Sequence, residues 1–120
     1  MGRVETPYEA REPAREDVDR LQGPVLLEFG SPWCGYCVAA RGPIAEALED
    51  HPGVRHIRVA DGRGRRLGRS FGVKLWPTLV FLSDGAEVAK LVRPGDAREI
   101  TQALERIDPA PRVARGGDSR

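Results

Sequence analysis

The chain has 120 residues, 40% of them hydrophobic and 31% charged, and a net charge of +1. That length suits a single domain burying about two-thirds of the surface its unfolded form exposes, and the near-balanced charge excludes whole-chain attraction to nucleic acid or anionic lipid. No apolar run approaches the roughly 20 residues of a bilayer-spanning helix, so a membrane protein of that kind is excluded and a soluble one expected.

Residues 1–12 carry little apolar content and read as a flexible N-terminal arm ahead of a domain over 13–108. Across 1–21 four arginines stand against six acids with no apolar block. A signal peptide is therefore not expected, and the cytoplasm is the default compartment. In that reducing setting a C-x-x-C pair is expected to be catalytic or metal-binding rather than a structural staple. Pro13 opens a helix whose first turn carries Glu16 and Asp17, whose apolar face is Val18 and Leu21, and which Gly23-Pro24 stops. Residues 25–30 follow as a strand, nearly continuous in apolar side chains, as a strand buried on both faces reads.

Ser31-Pro32-Trp33 turns the chain, and apolar residues at 37, 38, 40, 44, 45 and 48 recur at helical spacing over 34–50. Pro43 must bend that helix, because it lacks an N–H and crowds the preceding turn. Residues 54–60 alternate apolar and polar side chains, so strand, helix and strand make a parallel βαβ unit with a right-handed crossover. Between Arg55 and Lys74 seven cations face one acid, Asp61. A solvated loop and a short helix near 65–71 is the favoured reading over a binding patch, and such charge would also steer acidic partners. Trp76-Pro77 introduces a strand over 78–82, Ser83-Asp84-Gly85 turns it, and 87–92 pairs back antiparallel. After Pro94-Gly95, Asp96 caps an amphipathic helix through Ile100, Leu104 and Ile107. Residues 109–120, rich in Pro, Gly and Arg, read as a disordered tail.

The chemistry concentrates in Trp33-Cys34-Gly35-Tyr36-Cys37. A cysteine in the first turn of a helix that follows a buried strand meets unpaired N–H groups and the helix dipole, both of which stabilise a thiolate, so Cys34 should be acidic. Cys37, one turn later on the inward side, can close a disulfide while shielded from solvent. The pair divides into attacker and resolver. The rival reading is a zinc site, because Cys34, Cys37, His51 and His56 fit C-x2-C…H-x3–5-H spacing. Pro52-Gly53 separates the two histidines, which argues against it; they read instead as a helix C-terminal residue and a strand surface residue. A redox-silent adaptor is disfavoured because both thiols are present.

The order of these parts, with a Pro-Thr pair at Pro77-Thr78 and a hairpin at Asp84-Gly85, resembles the thioredoxin family from Val18 to Ile107. The resemblance implies an α/β fold with a central mixed sheet of four or five strands flanked by helices. It implies that Pro77 is a cis-proline packed beside the dithiol, leaving the backbone of Trp76 to pair with an extended substrate. It implies that Glu28, six residues before Cys34, is a buried acid moving the proton of Cys37; desolvation there would raise its pKa toward neutrality, against the alternative of a solvated carboxylate at the strand end. Trp33, Gly35, Tyr36, Trp76, Pro77 and Thr78 make up the implied substrate surface, Trp33 as an exposed apolar contact and Trp76 in place of a commonly aliphatic residue.

The sequence departs from the family in three places. Gly-Tyr replaces Gly-Pro between the cysteines, Pro43 falls one residue late, and no Lys occupies the strand opposite Glu28. Tyr36 restores a backbone donor near Cys34, from which a more oxidising pair is expected. The expected reaction is dithiol-disulfide exchange: Cys34 attacks a substrate disulfide, and Cys37, helped by Glu28, releases the product. Disulfide-containing proteins and a flavin-containing, thioredoxin-reductase-like electron donor are the implied partners. No cofactor, metal, nucleic acid or membrane is expected to be bound, and a monomer is expected.

Overall fold

The computed structural model of the chain describes residues 6–109. Its centre is β1 (Pro24–Gly30), buried without a break from Val25 to Gly30, because it has a neighbouring strand on each edge and helices on each face. Around it are α1 (Arg15–Asp19), α2 (Gly35–Leu48), β2 (Arg55–Ala60), α3 (Leu67–Ser70), β3 (Thr78–Ser83), β4 (Ala86–Val92) and α4 (Ala97–Ile107). The sheet order is β2-β1-β3-β4, with β2 parallel to β1 and the β1–β3 and β3–β4 pairs antiparallel. This is the mixed sheet expected, at its four-stranded size.

Side-chain alternation on β1 divides the core. Leu26 points to the layer of α2 and α4, where Ile44, Leu48, Ile100 and Leu104 are buried. Val25, Leu27 and Phe29 point to the opposite layer with Val18, Leu67 and Phe71. Glu28 shares the period-2 face of Leu26, which aims it under α2, and so do its cross-strand partner Arg58 and that residue's i−2 neighbour His56.

Local chemistry fixes the element ends. Asp84 and Gly85 both adopt left-handed φ, 49° and 83°, the two-residue turn whose twist matches that of the strands it joins. The Asp84 carboxylate accepts from the Gly23 N–H at 2.7 Å, seating the hairpin against the end of α1. Asp96 caps α4 by accepting from the Glu99 N–H at 3.2 Å, and α4 buries Ile100, Ala103, Leu104 and Ile107. α2 runs through Pro43 without interruption.

Two expectations change. The first helix closes after five residues, since only Val18 is buried on it. Residues 6–12 are not a loose arm: Tyr8 bridges β2 in parallel at Arg58, the Glu9 N–H donates to the Arg58 carbonyl at 2.8 Å, and the Glu12 carboxylate accepts from the Leu67 N–H at 2.8 Å and the Arg66 N–H at 3.2 Å. These contacts are polar and long-range, so hydrophobic periodicity carries no trace of them. The tail, beyond Pro109, lies outside the described residues.

Candidate active site

Where β1 ends, the Ser31 side chain accepts from the Trp33 N–H at 3.1 Å and its carbonyl from the Cys34 N–H at 3.2 Å, which turns the chain into α2. Cys34 sits not in the first turn but at the N-cap, with extended backbone, and its Sγ accepts from the Cys37 N–H at 3.2 Å. The sulfur occupies the place a Ser or Asp oxygen takes at other helix starts. Partial burial pushes the Cys34 thiol up, but the Cys37 thiol, the backbone N–H groups of Cys37 and Tyr36, and the charge of Arg93 outweigh it and hold it below an ordinary thiol. The backbone donor expected from Tyr36 is thus among the groups acting on the sulfur. Cys37 is buried, and burial first, then its hydrogen bond to Cys34 and the negative charges of Cys34 and Glu28, push it up to about 12.

Facing the dithiol is the turn into β3. The Trp76–Pro77 bond is cis, and the Cys34 thiol points at the Trp76 carbonyl at 3.9 Å. Pro77 and Thr78 are buried, the Thr78 hydroxyl donating to the Leu75 carbonyl at 2.6 Å. The Trp76 indole is half-buried and donates to Asp61 at 2.9 Å, whereas Trp33 is 91% exposed beside exposed Gly35 and Tyr36. Of the two tryptophans, only Trp33 is an open apolar surface. A groove beside α2 is walled by Tyr36, Pro43, Pro77 and Arg93.

Beneath the dithiol, Glu28 is buried, which excludes the solvated alternative. Its Oε1 meets His56 Nε2 at 2.8 Å and Arg58 Nε at 3.5 Å, while its Oε2 has no hydrogen-bond partner among the described residues. Arg58 therefore stands in the strand position opposite Glu28 where no Lys occurs, and Tyr8 stacks on its guanidinium at 4.2 Å. Burial pushes the Tyr8 phenol up, against the opposing charge of Arg58. Gly30 lies where sulfur and phenol converge: a Cβ there would come within 2.7 Å of Cys37 Sγ and 3.2 Å of the Tyr8 hydroxyl.

The histidines correct the zinc spacing. His56 is not a strand surface residue but is held by Glu28, and His51 is buried just past α2 with its Nδ1 2.8 Å from Asp108. Among the described residues no group of three or more His, Cys, Asp or Glu could hold a metal ion. The places of His56, Arg58, Tyr8, Gly30 and Arg93 in the site are not among the expectations drawn from the sequence. The alternation of β2 could have placed His56 and Arg58 on the face of Glu28; nothing in the sequence signalled Arg93.

A capped, acidified cysteine above a buried one, set against a cis-proline turn at the ends of the two central strands of a mixed sheet, defines a dithiol-disulfide oxidoreductase. The thioredoxin family model matches residues 8–106. A thioredoxin of Aspergillus fumigatus is 32% identical over 85 residues, covering 71% of this chain and 79% of that protein, and one of Synechocystis sp. is 26% identical over 102 residues, covering 84% and 95%. The reduced structure of thioredoxin 2 from Pseudomonas aeruginosa superposes with a TM-score of 0.78 at 57% identity, covering 87% of this chain and 96% of that one. The chain belongs to the thioredoxin family and is a protein thiol-disulfide oxidoreductase.

Proposed function

We propose that the chain reduces protein disulfides with Cys34 as attacking thiolate and Cys37 as resolving thiol. Cys34 displaces one sulfur of the substrate to give a mixed disulfide. Cys37 then gives up its proton, attacks Cys34, and releases the second substrate thiol, leaving a Cys34–Cys37 disulfide. Glu28 takes the Cys37 proton, and Trp33, Gly35, Tyr36, Trp76, Pro77 and Thr78 receive the substrate segment. The pair returns to the dithiol with electrons from a flavin-containing, thioredoxin-reductase-like donor. The setting proposed is the cytoplasm, and the working unit a monomer.

The observation that carries the assignment is the placement of the two thiols: Cys34, only partly buried, caps α2 with its Sγ accepting from the Cys37 N–H at 3.2 Å, whereas Cys37 is buried. Accordingly Cys34 is held below an ordinary thiol and Cys37 is pushed up to about 12. Thiolate population and access to an incoming reagent both favour Cys34, and the lower nucleophilicity of a more acidic thiolate offsets only part of that advantage. Limiting iodoacetamide on the reduced protein, read by peptide mass, should modify Cys34 first. Cys37→Ser should trap mixed disulfides with a disulfide-bonded protein, and Cys34→Ser should not. Modification of Cys37 first would reverse the assignment.

A further inference from the structure

Arg93, the residue after β4, has left-handed φ of 49°, a region that side chains other than Gly, Asn and Asp rarely adopt. Its backbone N–H donates to the Pro77 carbonyl at 2.9 Å. The side chain Nε donates to the Trp76 carbonyl at 2.8 Å, and the guanidinium lies 3.9 Å from the centroid of the Tyr36 ring. The Trp76 oxygen is the same atom at which the Cys34 thiol points. We propose that Arg93 is a positioning residue for the Cys34 thiolate, tying Tyr36, between the cysteines, to the Trp76 carbonyl ahead of Pro77 and placing a fixed positive charge beside the sulfur.

The physical reason lies in that shared oxygen. As a thiol, Cys34 is a weak donor to the Trp76 carbonyl. As a thiolate it has no proton to give, and its charge faces the oxygen's lone pairs. Arg93 Nε–H draws on those lone pairs and its charge attracts the sulfur, so both effects favour the ionised form. The ring of Tyr36 holds the flat guanidinium from its other side, an arrangement a lysine would reproduce poorly. The charge of Arg93 is among the influences that hold Cys34 below an ordinary thiol. This role rests on Cys34 being the attacking thiol.

The test is the pH profile of Cys34 alkylation in the full chain for wild type, Arg93→Met, Arg93→Gln and Arg93→Lys, with the modified residue identified by peptide mass. Met and Gln keep a side chain on the left-handed backbone and remove the charge; Gln stands in should Met fail to fold. The midpoint should rise in both, with the Cys34 thiolate population at pH 7 falling about two- to fivefold, the range of an exposed charge pair. Lys should fall between. The gap should narrow in 1 M salt, where the screening length is about 3 Å, a response that loss of packing alone would not give. An unmoved midpoint in the charge-removing variants, or a gap indifferent to salt, overturns the inference. Modification of Cys37 in wild type would instead overturn the assignment of the attacking thiol.

Discussion

In the cycle proposed for the dithiol, resolution is demanding for the buried thiol. At about 12 for Cys37, only about one molecule in 10⁵ carries that thiolate at pH 7. In the mixed disulfide Cys34 is neutral, which removes its two upward pushes on Cys37, but burial, the largest, remains. A positioned base typically contributes 10²–10⁴. Glu28→Gln is therefore expected to slow resolution by roughly 10²-fold while changing mixed-disulfide formation by only a few-fold, measured by quenched-flow trapping of the intermediate. The deficit should be greatest at low pH and narrow as pH rises, because free Cys37 thiolate grows tenfold per unit below its pKa. Equal slowing of both steps would assign Glu28 to holding Arg58 and His56 in place. At this scale the sequence is informative where chemistry is local: Cys34, Cys37 and Glu28 lie within ten residues of one another. It is silent on Arg93 and Tyr8, which reach the site by contacts across 17 and 50 residues, to Trp76 and to Arg58.

Among the elements, the β3–β4 hairpin is the most legible, since Asp-Gly is the sequence form of a turn that needs two left-handed residues. Gly85 carries a second constraint, because a Cβ there would collide with the carbonyl of Asp19. Gly85→Ala should thus cost on the order of 2 kcal/mol, combining backbone strain with displacement of the hairpin from α1, and lower the melting temperature by several degrees without moving the reactivity of Cys34. Calorimetry of the two proteins checks this; an unchanged melting temperature would mean that the hairpin does not bear on α1. The first helix is shorter than its sequence signals, because the stop at Gly23-Pro24 lies beyond residue 22, whereas one buried side chain holds only one turn and a half. In β2 the polar alternation of His56 and Arg58 is legible, but it marks a buried polar face under α2 instead of a solvated one.

At the scale of the whole molecule, the sheet has two edges, and β4 leaves one half-exposed. On the other, residues 6–12 run beside β2: the Arg58 guanidinium donates to the Thr6 carbonyl at 2.7 Å, and the arm goes on to cap α3 through Glu12. Low apolar content hid this, because the segment is held by backbone pairing and one aromatic ring. An uncovered parallel edge strand presents unpaired N–H and C=O groups to any other chain in solution. A chain starting at Pro13 is accordingly expected to self-associate at concentrations where the full chain scatters light as one species, and a truncated protein of unchanged size would refute this. The arm that steadies Arg58 under the dithiol then has a second office: it is a guard against strand-to-strand aggregation, so that a cut ahead of Pro13 by a protease would endanger solubility before it touched a single cysteine.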